Sequence, residues 1–233
     1  MQDQGYTHLR TFRYERKFLV EELMPFQVEA LIRQHPRLFR SPYPARFVNN
    51  LYLDTPDMDN YYDNVNGATQ RRKVRVRWYG EPFGEIAYPI LEIKIKDGMV
   101  GTKHTYPLPS FCMETHFCDR AFLRMLLETD LPTALRQDLR GLNMVLFNRY
   151  HRHYYATHDG TFRLTVDTHL VFYKANGRFG NHFAHHQENA RGLIVELKYM
   201  NEQEPQANRV AGYFPFRVTR NSKYVEGIER VYF

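Results

Sequence analysis

The chain has 233 residues, long enough to bury a sizeable core in one large domain and a squeeze for two. Its formal charge of +6 comes from 32 basic and 26 acidic residues, and five of those cations stand between Arg71 and Arg77, so the rest of the chain is close to neutral. A concentrated anionic ligand fits this distribution better than a protein coated for duplex DNA. The two cysteines, Cys112 and Cys118, match neither a disulfide framework nor a zinc spacing, which predicts a reducing compartment. No apolar run approaches about eighteen residues, and Met1-Gln2-Asp3-Gln4-Gly5 lacks the apolar core of a signal peptide, so no membrane span is expected.

Residues 11–20 read as a strand with Arg13, Glu15 and Lys17 on one side and Phe12, Tyr14, Phe18 and Val20 on the other, Arg16 being the exception. From 21 to about 37 the spacing of Leu23, Phe26, Ala30 and Leu31 predicts a helix, and Pro42 and Pro44 then mark a loop. A second strand, 47–53, ends in Asp54-Thr55-Pro56-Asp57, where a capping side chain followed by proline suits a helix start. That short helix carries Met58, Tyr61 and Tyr62 and is broken by Gly67. The strand 71–79 follows, with Arg71, Lys73, Arg75 and Arg77 on one face and Val74, Val76 and Trp78 on the other. Like charges roughly 6.6 Å apart repel by about 2.5 kcal/mol per pair at an effective dielectric near 20, so an anionic partner is expected opposite them.

After a loop at 81–89, the strand 90–96 sets Glu92, Lys94 and Lys96 against Leu91, Ile93 and Ile95. Asp97-Gly98 signals a hairpin whose return strand, 100–108, brings Lys103 and Thr105. Leucine spacing between 117 and 142 predicts two helices divided at Pro132. Two long strands, 143–157 with Arg149 and 161–173 with Arg163, Thr165 and Asp167, are joined at Asp159-Gly160. Residues 174–191 read as a loop, and the strand 193–199 sets Glu196 and Lys198 opposite Leu193, Val195, Leu197 and Tyr199. Helices near Pro205 and Ser222 close the chain.

Strands with charges on one face and aliphatics on the other cannot bury those charges in a sandwich core. The expected fold is therefore α+β: a closed eight-stranded antiparallel β-barrel whose polar lumen forms a tunnel, with helices packed outside and 1–233 as a single domain. Lys17, Arg75, Arg77, Lys94, Lys103, Arg149, Arg163, Lys198 and Lys223 are expected to converge inside, with Glu15, Glu92 and Glu196 between them. So many cations around few carboxylates suit a chain of phosphates, and the carboxylates suit a divalent metal bridging phosphate oxygens.

Tyr14-Glu15-Arg16-Lys17-Phe18-Leu19-Val20, Leu51-Tyr52-Leu53-Asp54-Thr55-Pro56, Arg72-Lys73-Val74-Arg75-Val76-Arg77-Trp78-Tyr79-Gly80, Leu91-Glu92-Ile93-Lys94, Asn148-Arg149, Arg163-Leu164-Thr165-Val166-Asp167-Thr168, Val195-Glu196-Leu197-Lys198 and Ser222-Lys223-Tyr224 occur in this order. The ordered set resembles the catalytic domain of the vacuolar transporter chaperone (VTC) polyphosphate polymerases, in the triphosphate tunnel metalloenzyme (CYTH-like) superfamily. The resemblance implies an ATP-dependent polyphosphate polymerase that moves the terminal phosphoryl of ATP onto a growing chain with Mn2+ or Mg2+. It implies Lys17, Arg75, Arg77, Lys94, Arg149, Arg163 and Lys223 as catalytic residues. Lys103 and Lys198 join them on phosphate, together with Arg72 or its neighbour Arg71. Glu196 is the implied metal ligand, with Glu15 and Glu92 beside it as candidates. Its partners would be ATP and inorganic polyphosphate, not nucleic acid, in the cytoplasm, with any membrane association through a partner protein. No room is expected for an N-terminal domain sensing inositol phosphates.

Arg13 departs from the superfamily's hydrolases, which begin with two glutamates and a lysine on alternate residues; a cation replaces one acidic ligand, which favours synthesis over hydrolysis. The alternatives are a metal-dependent triphosphate or nucleoside triphosphate hydrolase and a non-catalytic polyphosphate-binding subunit. His182, His185 and His186 are read as a solvated loop and not a metal site, and His151 and His153 as polar surface or tunnel-mouth residues.

Overall fold

A computed structural model describes residues 13–98, 100–114, 119–175, 186–188 and 192–233. In chain order it contains β1 (Arg13–Val20), α1 (Pro25–Gln34), β2 (Arg46–Asp54), α2 (Asp59–Val65), β3 (Gln70–Tyr79), β4 (Gly84–Ile86), β5 (Ile90–Asp97), β6 (Val100–Pro107), β7 (Phe111–Met113), α3 (Asp119–Glu128), α4 (Thr133–Leu139), β8 (Asn143–Ala156), β9 (Arg163–Lys174), β10 (His186–Glu188), β11 (Leu193–Met200), α5 (Glu204–Gly212) and α6 (Lys223–Tyr232). The expected α+β class holds. The short pair β4–β7 lies in stretches too brief for periodicity to flag, and β10 adds a strand to the expected loop at 174–191. His182 and His185 lie outside the described residues.

The main sheet runs β1-β11-β9-β8-β2-β3-β5-β6, antiparallel throughout, with β10 on the side against β9. Six strand-to-strand steps separate β1 from β5, yet Lys94 on β5 comes within 3.8 Å of Glu15 on β1. The sheet is therefore strongly curled. It is not the closed barrel expected from sequence: the path ends at β1 and β6, and among the described residues no ladder joins them. The reason lies at the edge of β1. Thr219 donates its N–H to the Lys17 carbonyl at 2.8 Å and accepts the Leu19 N–H on its hydroxyl at 3.1 Å, while Val218 bridges Phe18. A non-strand segment thus occupies hydrogen-bonding groups that β6 would need to close the ring.

Alternation then sorts the faces. On the convex face, Leu51, Leu53, Val74, Val76, Trp78, Leu91 and Ile93 pack under α3 and α4, with Trp78 stacked on Phe147 at 5.5 Å. Phe18, Val20, Leu164, Val166, Val195 and Leu197 pack under α1 and α5. The third apolar cluster is on the concave face: Tyr224 and Ile228 of α6 sit among Tyr52, Leu146, Tyr150, Leu170, Phe172 and Ile194. One helix is therefore inside the curl and not outside, a second departure from expectation. Gly227 permits this close approach, since a Cβ there would lie 2.5 Å from Leu146 Cδ2 and 2.7 Å from Phe172 Cδ1. Asp54 ties the helix down: its carboxylate accepts the N–H groups of Asn60 and Tyr61 at the start of α2 and the hydroxyl of Tyr224.

A β-bulge lets one surface be both apolar and charged. In β9 the register against β8 shifts between Arg149 and His151, opposite His169, which takes φ 51°. Thr165 and Asp167 face the curl before the shift, and Leu170 and Phe172 face it afterwards. The first pair serves a polar half and the second receives α6.

Candidate polyanion site

The charged residues on the polar half of the concave face come from seven strands, β1, β3, β5, β6, β8, β9 and β11, and from the first residue of α6. Two acid-centred clusters dominate it. Glu92 on β5 is buried and faces Arg75, which pairs with it at 2.5 Å and donates through Nε at 2.7 Å, Arg77 at 3.5 Å, and Lys103 of β6. This follows from register: Glu92 is directly opposite Arg75 on one side and Thr105 on the other, with Lys103 one same-face step along. Burial works to raise the Glu92 carboxyl, but Arg75, Arg77 and Lys103 together outweigh it and hold the group well below the usual carboxylate range. Arg77 also donates to Asn50 Oδ1 at 2.8 Å, and Arg75 to the Tyr52 hydroxyl at 3.2 Å.

In the second cluster, Arg152 grips the fully buried Asp167 through two bonds of 2.6 and 2.7 Å, and Lys223 reaches the same carboxylate at 2.6 Å. Glu196 stands beside them with Lys198 at 3.0 Å, Lys17 and Lys223 at 3.5 Å, and Arg152 at 3.6 Å. Burial again works to raise both carboxyls, and the surrounding cations hold both down. Glu15 joins the clusters, 3.4 Å from Lys17 and 3.8 Å from Lys94.

Lys17, Lys73, Arg75, Arg77, Lys94, Lys103, Arg152, Lys198 and Lys223 share this surface with Glu15, Glu92, Asp167 and Glu196, so among the described residues basic groups well outnumber carboxylates there. Lys73 shows the cost. Its ammonium donates to Ser222 Oγ at 2.8 Å, and burial, reinforced by Lys17, Lys94, Arg75 and Arg71, pushes it down to about 7. Burial also lowers Lys94 and Lys103. A surface whose own lysines resist ionisation is one that an added anion relieves.

Of the residues expected to converge, Lys17, Arg75, Arg77, Lys94, Lys103, Lys198, Lys223, Glu15, Glu92 and Glu196 do so. Arg163 is opposite Lys198 on the same face, exposed at the end of its strand. Arg149 is not brought in: it lies on the other face, 3.7 Å over the Phe47 ring and 3.9 Å from Glu81. Arg72 is also outside, donating to Asn60 Oδ1 and Asp138, so the arginine sharing the face of Lys73 and Arg75 is Arg71. Arg152 is the site residue that the sequence did not point to at all; the sequence places Lys73 and Asp167 on polar strand faces but not among the converging side chains. The strand 149–153 carries charged or titratable groups on both faces, so alternation alone could not choose between Arg149 and Arg152.

The expected metal ligands do not meet. Glu92 has its own set of cations, Glu15 and Glu196 are bridged by Lys17, and among the described residues no three His, Cys, Asp or Glu side chains converge as a metal site. The donor set does not fit a resident metal held by the protein alone, because each carboxylate is already engaged by cations.

A curled antiparallel sheet with a cationic concave wall is the arrangement expected of the triphosphate tunnel (CYTH-like) class that the sequence resembles. The chain belongs to the VTC-domain family, whose family model, described as "VTC domain", matches residues 12–232. No curated protein matches the sequence. Among solved structures, a Vibrio parahaemolyticus protein provisionally described as an adenylate cyclase is similar at TM-score 0.53 and 12% identity over 93% of this chain and 98% of that one. A Pyrococcus horikoshii protein is similar at TM-score 0.52 and 11% identity over 94% and 99%. A Bacillus halodurans protein, also provisionally described as an adenylate cyclase, is similar at 0.51 and 15% over 95% and 98%. At such identities the likeness shows the fold. No helix among the described residues is long and apolar enough to cross a membrane.

Proposed function

We propose that this chain is an ATP-dependent polyphosphate polymerase. The observation that carries the reading is the excess of basic over acidic groups on the concave wall, spread over Lys17, Lys73, Arg75, Arg77, Lys94, Lys103, Arg152, Lys198 and Lys223. One triphosphate carries about four charges at neutral pH, so a row of phosphoryl groups is the ligand that matches both the sign and the spread. The terminal oxygen of the growing chain attacks the γ-phosphorus of ATP, the bond to the β–γ bridging oxygen breaks, and ADP leaves. Such an in-line transfer asks mainly for positioning and charge compensation, which Arg75, Arg77 and the lysines supply. A divalent metal brought in with the nucleotide would add charge compensation that the protein's own carboxylates, engaged by cations, do not supply.

Synthesis is favoured over hydrolysis by the state of the carboxylates. Glu92, Asp167 and Glu196 are all held toward the ionised form by the cations they bind, so none of these three is poised near neutrality to take a proton from water. A phosphate acceptor needs no such base. Incubation with ATP and manganese tests the reading: long chains on a gel are expected, and free phosphate alone would assign the protein to triphosphate hydrolysis. Polyphosphate binding without ATP consumption would make it a non-catalytic subunit.

A further inference from the structure

Beyond the last cations, at the end of the curl opposite α6, the concave wall carries a cluster that phosphate binding does not use. Arg46 lies directly opposite Arg152 in the β2–β8 ladder, and Tyr79 lies opposite Val48, so both share the face of Arg77, Asn50 and Arg152. The Arg46 guanidinium sits 3.9 Å from the centre of the Tyr79 ring and 5.2 Å from that of Tyr154, and its Nε donates to the Tyr154 hydroxyl at 3.1 Å. Tyr43 meets Tyr154 edge-on at 6.1 Å. No carboxylate pairs with Arg46 among the described residues, and the rings remain open, Tyr79 being 42% and Tyr43 62% exposed. Two rings thus flank one planar cation, and the third packs edge-on behind them.

We infer that Tyr79, Arg46 and Tyr43 form a stacking platform for the base of a nucleoside triphosphate whose phosphates lie on Arg77 and the cations beyond it. Tyr79 is one same-face step, roughly 6.6 Å, along β3 from Arg77, about the distance a ribose must bridge between base and first phosphate. Rings and guanidinium planes stack on any base, so the platform selects nucleotides over inorganic triphosphate while reading base identity weakly. Nucleoside triphosphates are then the donor, and the growing chain, which lacks a base, has no claim on this end of the wall. The inference rests on the proposed donor role of ATP but concerns binding, so the two can fail separately.

Calorimetric affinities of ATP and of inorganic tripolyphosphate, measured with wild type, Tyr79→Ala, Tyr79→Phe and Arg46→Ala, test it. The expected result is that Tyr79→Ala weakens ATP about tenfold, with tripolyphosphate within twofold of wild type, that Tyr79→Phe restores ATP binding, and that GTP tracks ATP. Tripolyphosphate binding also reports that each variant is folded. Equal loss for both ligands, or unchanged ATP affinity in Tyr79→Ala and Arg46→Ala, would overturn the platform. Wild type that binds ATP through Tyr79 but makes no polyphosphate would retain the platform and overturn the polymerase reading.

Discussion

Arg75 and Arg77 neighbour each other along one face of β3 and share one counter-ion, Glu92, which Lys103 also holds. Removing one arginine therefore leaves the carboxylate compensated, and Arg75→Ala should cost less than about 2 kcal/mol of stability. Losing a guanidinium aimed at transferring phosphate should lower turnover about 100-fold or more. Arg149→Ala, on the opposite face, should change turnover less than threefold; steady-state rates and thermal melts on both variants check the contrast. Arg152 is different, because its loss would strand the buried Asp167 with Lys223 alone, so its variants should report stability as well as binding. Lys73 makes the site sensitive to pH. With its amine pushed down to about 7, Lys73 is mostly neutral at pH 8 in the free protein, and a bound polyphosphate raises it again. Binding at pH 8 should thus take up a proton, and affinity should fall as pH rises above 7. Titration calorimetry in buffers of different ionisation enthalpy checks the uptake, which Lys73→Met should reduce.

At the level of elements, α6 joins the fold to the site. Its apolar side fills one end of the curl, and Lys223 at its first position enters the Asp167–Glu196 cluster, while Ser222 caps it by accepting the Val225 N–H at 3.4 Å. Anything that lifts α6 should displace Lys223 as well. Gly227→Ala places a methyl against Leu146 and Phe172 and should cost about 1–3 kcal/mol, with a matching loss of tripolyphosphate affinity; denaturant melts and calorimetry on one sample test the coupling. Sequence reading located a helix near Ser222 but not its seat inside the sheet. The cue was present in Gly227 and Tyr224, yet a glycine within a helical pattern marks close packing without saying against what.

For the molecule as a whole, excess charge is gathered on one curled wall while helices cover much of the other face. Its attraction for polyanions sums over many cations, several of them half-exposed, and such a sum is screened by salt. Tripolyphosphate affinity should fall at least tenfold between 50 and 300 mM salt (about a doubling of screening strength), measured by calorimetry, whereas thermal stability, carried by the three apolar clusters, should shift little.

Which side chains share a face follows from local pattern alone. A strand has period two, so Arg75 and Arg77, Glu92 and Lys94, and Glu196 and Lys198 had to lie together whatever the sheet did, and burying them on a dry face would have been prohibitive. That the ring stays open at β1, that α6 enters the curl, and that Arg152 and not Arg149 reaches Asp167 depends on long-range packing. Those outcomes depend on which edge the 218–219 segment covers and on a one-residue shift at His169, contacts between groups far apart in the chain that no local pattern encodes.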